Sequence, residues 1–211
     1  MIKLFVFIIS GYLIGSISGS LLLGKFKKVD IRNLGSGNAG ATNAFRSVGP
    51  FFALCTLLID IMKGYLPIIL ISPYVDMPLD KDLIKILIGV SSVLGHVYPI
   101  FYSFKGGKGA GTLLGVIAAI FPSSISLVFS MWVLVLIFTG YVGLSTICAG
   151  LALVVSTYFW YSPGIYSAFG FFTILISIFL IFTHRSNISR MIEGKENQFQ
   201  KVMILKFFFR N

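Results

Sequence analysis

The chain has 211 residues, 56% of them hydrophobic and 11% charged, with a formal net charge of +10 and a mean hydropathy of +0.93. Such a composition excludes an ordinary soluble globular domain and reads as a polytopic membrane protein. Its basic residues flank apolar runs and form no separate basic domain, which speaks for membrane topology and against nucleic-acid binding.

Residues 4–23 make the first predicted span, expected to be retained because no small-residue cleavage site follows the apolar run. Gly11, Gly15 and Gly19 recur at four-residue spacing there and offer one smooth face for helix packing. Residues 25–49 form a polar loop with five basic residues and one acid, Asp30. The second span, 51–71, carries Asp60 and Lys63 three residues apart on one face, either as an ion pair orienting the helix or as a wall of a site. Residues 72–82 hold two prolines and three aspartates, and the third span, 83–101, ends with His96 and Pro99. A second polar loop, 104–112, follows. From there to Thr183 the chain is almost continuously apolar, and Pro and Gly clusters divide it into runs at 110–121, 125–138, 144–160 and 165–182. Cys55 and Cys148 lie in apolar runs without metal-ligand spacing and read as packing residues. The end of the chain, 201–210, mixes apolar residues with three cations and is predicted to lie along the membrane surface.

Charge sets the count of spans. With seven spans and the N-terminus outside, the loops 25–49 and 102–112 and the tail from His184 face the cytoplasm; they hold five, two and six of the seventeen basic residues. The outer loop 72–82 holds three of the seven acids, as the positive-inside tendency requires. Merging only the two short runs would put the basic tail outside. The expected architecture is therefore an all-α membrane helix bundle: one domain over 1–211, seven transmembrane helices, the C-terminus cytoplasmic and three polar segments emerging on one face.

Those segments share an unusual vocabulary. Residues 35–46 read Gly-Ser-Gly-Asn-Ala-Gly-Ala-Thr-Asn-Ala-Phe-Arg. Glycines let backbone N–H groups converge on an anion, and Ser36, Thr42 and Arg46 add donors suited to phosphate. The stretch matches Gly-x-Gly-x-x-Gly with Asp60 twenty residues after Gly40, but a dinucleotide fold needs a preceding strand, whereas here a membrane helix precedes and Asp60 lies within the next. Lys105, Gly106, Gly107, Lys108 and Gly109 make a second glycine-rich basic loop, without the spacing of a Walker A motif. Two such loops imply two anionic groups. Neither His96 nor His184 has an aspartate four or five residues later, and no Cys/His pair or serine elbow is present. Chemistry would then rest on positioning and electrostatics, which favours a substrate bearing a good leaving group.

The 35–46 stretch, the run from Gly95-His-Val-Tyr-Pro to Lys105-Gly-Gly-Lys-Gly109, and His184-Arg-Ser-Asn-Ile-Ser-Arg190 with Gly194 and Glu196 together resemble the three motifs of the bacterial acyl-phosphate:glycerol-3-phosphate acyltransferases, with Asp60-Ile-Met-Lys-Gly64 also fitting. The resemblance implies a multi-pass enzyme of the bacterial cytoplasmic membrane that moves a fatty acyl group from acyl phosphate to the 1-position of sn-glycerol 3-phosphate, the first acylation of phospholipid synthesis. It implies no cofactor and no metal. Its partners would be the two substrates, membrane lipids and the enzyme supplying acyl phosphate.

By the same resemblance Ser36, Arg46, Lys105, His184 and Asn187 are the expected catalytic residues. Gly35, Gly37, Asn38, Gly40, Thr42, Asn43, Gly106, Gly107, Lys108 and Gly109 are expected to bind substrate, and Glu196 to anchor the tail. The chain departs from the pattern at Ser18, at Gly140 and at Gly143, where a serine is expected, with Ser145 or Thr146 as candidate replacements; Gly111 stands where alanine is usual. An anion transporter is the main alternative, disfavoured by the absence of an internal repeat. A scaffold role would leave the glycine loops without a purpose.

Overall fold

Helices follow the apolar runs, and their ends follow the prolines and glycines. The structure, a computed structural model, describes residues 2–203; these are helices, short 3₁₀ turns and loops. The chain divides into two compact units, Met1–Pro122 and Ser123–Asn211.

The first unit contains α1 (Ile2–Gly15), α2 (Gly19–Lys27), α3 (Ala41–Ser47), α4 (Pro50–Ile71), α5 (Lys81–Val97) and α6 (Ala110–Ile120). The expected first span is thus broken in two, with a 42° bend between α1 and α2. Ser16 turns its hydroxyl back to the Tyr12 carbonyl at 2.8 Å, and the break places the Ile17 carbonyl where Lys63 Nζ of α4 donates to it at 2.8 Å.

The glycine stripe of α1 is a helix contact. A Cβ on Gly15 would lie 2.1 Å from the Ser92 carbonyl oxygen of α5, and one on Gly95 2.2 Å from that of Tyr12, so side chains at either position would force the two helices apart. Within α4, Pro67 has no N–H to give the Lys63 carbonyl, and Ser92 Oγ of α5 donates to that carbonyl at 2.6 Å. The Asp80 carboxylate caps α5 by accepting from the Asp82 N–H at 3.0 Å.

The second unit contains α7 (Ile125–Thr139), α8 (Val142–Trp160), α9 (Ala168–Thr183) and α10 (Arg185–Ile192). Trp132 Nε1 reaches Thr146 Oγ1 between α7 and α8 at 3.4 Å, and Ser177 Oγ of α9 donates to the Gly150 carbonyl of α8 at 2.8 Å. Ser167 caps α9, accepting from the Gly170 N–H at 3.1 Å, which is why that helix starts later than its apolar run. Beyond α10 the chain returns to the α7–α8 turn, where the Phe199 N–H donates to the Gly140 carbonyl at 2.9 Å.

Among the described residues, four helical segments are long and apolar enough to cross a membrane, and counting each bent pair, α1–α2 and α9–α10, as one span raises this to six. The seventh expected span is α6, whose 11 residues extend only about 16 Å against a hydrocarbon core of about 30 Å. Large apolar side chains such as Phe129, Leu134, Leu151 and Leu175 lie exposed on the long helices, as lipid-facing surfaces require. The predicted surface helix at 201–210 lies almost wholly outside the described residues; Gln200–Val202 is a 3₁₀ turn.

Candidate functional site

In the 35–46 loop one side chain organises the rest. Asn43, on α3, is only 2% exposed. Its Oδ1 accepts from the Ser36 N–H at 2.9 Å, and its Nδ2 faces the carbonyls of Ile31, Leu34 and Asn38 at 3.1, 2.9 and 3.1 Å. Gly35 has φ +55°, and a Cβ there would lie 2.4 Å from Asn43 Oδ1, so this turn needs glycine on both counts. The Gly37 N–H donates to the Leu34 carbonyl at 3.0 Å.

The N–H groups of Ser36 and Gly37 are thus taken up within the loop, and the Asn43 amide is turned into it. Ser36 and Arg46 are exposed, while Asn38, Gly40 and Thr42 are half-buried. Underneath, Ile31, Ala39, Ala44 and Phe52 form a buried apolar cluster, and Ser20 Oγ donates to the Ala39 carbonyl at 2.9 Å.

The second loop folds back on the helix it leaves. The N–H groups of Lys105, Gly106 and Gly107 donate to the carbonyls of Tyr102, Val97 and His96 at 3.2, 3.2 and 3.1 Å. A Cβ on Gly107 would lie 2.1 Å from His96 Nε2, so glycine is what lets the loop lie against the imidazole. The expected backbone phosphate donors at Gly106 and Gly107 are therefore engaged within the chain. Of its cationic side chains, Lys105 is exposed and Lys108 half-buried. Gly109, with φ +92°, leads into α6.

The first unit brings these two loops together. Tyr102 packs against the cluster beneath the first loop. Its carbonyl accepts from Arg32 Nη1 at 3.3 Å, and Lys25 Nζ lies 5.8 Å from its ring centroid. Arg32 is itself oriented by Asp30, with Nη2 2.7 Å from Oδ2, and this hydrogen-bonded guanidinium holds the Asp30 carboxyl below its ordinary 3.8. Sequence reasoning passed over Arg32 and Tyr102; the spacing Asp30-x-Arg32 was the available signal for the first, and nothing local marks the second.

In the second unit, His184 stands at the α9–α10 bend, 5% exposed, with Nδ1 donating to the Leu180 carbonyl at 2.8 Å. One ring nitrogen is thus committed to the helix end, fixing the imidazole's orientation. Asn187 Nδ2 donates to Glu196 Oε1 at 2.7 Å, and Arg190 Nε lies 2.6 Å from Glu196 Oε2. The N–H groups of Lys195 and Glu196 both donate to the Arg190 carbonyl. Glu196 thereby ties the returning chain to α10 and orients Asn187.

Asn187 also rests on α8, where a Cβ at position 143 would lie 2.9 Å from Asn187 Cγ. The hydroxyls of the candidate replacements for a serine there, Ser145 and Thr146, donate to the Tyr141 and Val142 carbonyls of their own helix turn at 2.8 and 3.0 Å. Among the described residues no group of three or more His, Cys, Asp or Glu could hold a metal ion.

Comparison with known proteins covers all three segments. The profile of the family described as glycerol-3-phosphate acyltransferase matches residues 5–194. The glycerol-3-phosphate acyltransferase of Fusobacterium nucleatum is 36% identical over 197 residues, covering 93% of this chain and 98% of that one. Two crystal structures of PlsY (YgiH), an integral membrane glycerol 3-phosphate acyltransferase, share the fold. The glycerol 3-phosphate form has a TM-score of 0.83 at 35% identity and covers 98% of each chain. The lysophosphatidic acid form has a TM-score of 0.81 at 34% identity and covers 93% of this chain and 95% of the other.

Proposed function

Since the chain belongs to the glycerol-3-phosphate acyltransferase family, we propose that it is a multi-pass membrane enzyme that transfers a fatty acyl group from acyl phosphate to the 1-position of sn-glycerol 3-phosphate, giving lysophosphatidate and inorganic phosphate. The observation that carries this reading is the pairing of the two glycine-rich loops through Arg32 and Tyr102, with Ser36, Arg46 and Lys105 exposed on them. Those side chains suit two phosphate-bearing substrates, and Arg46 can present a forked donor to one of them.

The whole chain works as one acyltransferase. Ser36, Asn38, Thr42, Arg46, Lys105 and Lys108 handle phosphate, and His184 and Asn187 serve the reacting centre. Six candidate spans and the short apolar α6 make the seven crossings, with the N-terminus outside and the C-terminus in the cytoplasm of a bacterial cell, as the basic loops favour.

Acyl phosphate is a mixed anhydride, so no protein nucleophile is required. The 1-hydroxyl oxygen of glycerol 3-phosphate attacks the acyl carbon, the bond from that carbon to the phosphate oxygen breaks, and phosphate leaves with the bonding pair. The hydroxyl proton passes to the acceptor's own phosphate. Cationic side chains at the phosphates stabilise the departing charge. On this mechanism saturating glycerol, which lacks the phosphate, yields no monoacylglycerol; its efficient acylation would refute the proton route.

Arg46→Ala is expected to abolish lysophosphatidate formation by the purified protein while membrane insertion persists. An Arg46→Ala variant with wild-type turnover contradicts the assignment, and a wild-type protein that only carries phosphate across vesicles supports the transporter instead.

A further inference from the structure

One buried ionic cluster in the first unit has no part in the reaction as described. Asp60 and Lys63 of α4 and His96 of α5 are 3, 4 and 4% exposed. Asp60 Oδ1 lies 3.0 Å from Lys63 Nζ and 3.4 Å from His96 Nδ1. Both are polar contacts without hydrogen-bond alignment at Asp60 Oδ1 or His96 Nδ1. Burying such a pair is a poor way to gain stability, because desolvation offsets the attraction, so its use must be sought in what it holds in place.

His96 and Asp60 adjoin the two ends of the second loop, and Lys63 ties their helices to the α1–α2 break. Lys63 Nζ takes the Ile17 carbonyl at the α1–α2 break, and the Lys63 carbonyl takes Ser92 of α5. The His96 carbonyl receives the Gly107 N–H, and the His96 ring fills the space a side chain at position 107 would need. At the loop's other end, a Cβ on Gly111 would lie 3.2 Å from Asp60 Cβ. One end of the glycine loop therefore sits on His96 and the other on Asp60, and Lys63 holds Asp60 from the side away from the loop.

We propose that Asp60, Lys63 and His96 are positioning residues that hold the 105–109 loop, and with it Lys105, in register for a phosphate-bearing substrate, an inference that rests on the acyl-transfer reading for the substrate and on geometry alone for the loop. They touch no reacting atom and act through the backbone of Gly106 and Gly107.

The test uses the purified full-length chain and the double variant Asp60→Asn/Lys63→Met, which removes both charges and leaves no lone buried ion. Amide hydrogen exchange should quicken about tenfold or more at Gly106 and Gly107 while peptides from α8 and α9 keep their wild-type rates. Wild-type exchange at the loop, or acceleration throughout the chain, overturns the proposal. In the acylation assay the double variant should raise the KM for at least one phosphate substrate about fivefold or more with kcat changed less; a fall in kcat with both KM values unchanged overturns it. Should the double variant not fold, His96→Ala should quicken loop exchange and His96→Asn, whose Nδ2 can occupy the place of Nδ1, should restore it. Equal rates in those two variants overturn the proposal. Exchange does not depend on turnover, so a wild-type chain that fails to acylate glycerol 3-phosphate refutes the acyl-transfer reading while loop positioning is still decided.

Discussion

The two glycine-rich loops of the first unit are built from similar residues and held in opposite ways. The 35–46 loop is organised from within by the neutral amide of Asn43, which gathers three carbonyls and an N–H from the twelve residues before it. The 105–109 loop is braced from outside. It leans on His96 and, through it, on Asp60, with Lys63 reaching on to a carbonyl 46 residues away at Ile17. A loop that ties itself together can be broken only locally, whereas a loop resting on distant helices inherits their register. In both, glycine permits a close approach, at Gly35 to Asn43 and at Gly107 to His96.

The comparison is broken most severely at Asn43. Asn43→Ala removes the donor shared by the Ile31, Leu34 and Asn38 carbonyls and the acceptor of the Ser36 N–H, at about 0.5–1.5 kcal/mol for each hydrogen bond lost. Displacing Ser36 and Arg46 by about 1 Å would lower kcat/KM on the order of 100-fold. Steady-state kinetics alongside a melting curve checks this, and near-normal activity would show that Asn43 does not set the loop.

A smaller effect is expected at Gly107. Gly107→Ala should cost about tenfold in kcat/KM because the new methyl meets the His96 ring, and His96→Ala in the same chain should recover part of the loss by making room. Additive losses would mean that the ring and the loop are not in contact. The mirror experiment sharpens the contrast, since His96→Ala should give no relief to Gly35→Ala, whose clash is with Asn43.

The smallest effect concerns Asp30, whose pair with Arg32 has side chains 36% and 30% exposed. Its carboxyl pKa is depressed below 3.8, chiefly by the Arg32 hydrogen bond, so the stabilisation is present above that value and fades as pH falls through the lower folded pKa. Solvent screening limits it to about 0.5 kcal/mol. Asp30→Asn should accordingly lower the melting temperature slightly at neutral pH, with the difference vanishing in strong acid; a difference that grows in acid would contradict the pairing.

Where the sequence is a long apolar run bounded by proline or glycine, its helices were legible. The expected 51–71 is Pro50–Ile71, and 144–160 is Val142–Trp160. The break at Ser16–Ser18 was not, because three small or apolar residues in a hydrophobic run look like helix, and what occupies the exposed carbonyl is a lysine from another helix. Loop chemistry was legible as residue types, whereas which side chain is turned inward was not. Asn38 and Asn43 are equivalent on paper, yet only Asn43 stands on α3 with its amide turned back into the loop. Asp60 and Lys63 were visible as an i, i+3 pair, while His96, 36 residues further on, joins them only through helix packing.

The central claim is tested most directly by presenting the purified protein with sn-glycerol 3-phosphate and either a long-chain acyl phosphate or the corresponding acyl-CoA. The account predicts 1-acyl lysophosphatidate and inorganic phosphate in equal amounts from acyl phosphate and no product from acyl-CoA. Product from acyl-CoA alone, or acylation at the 2-position, would contradict it.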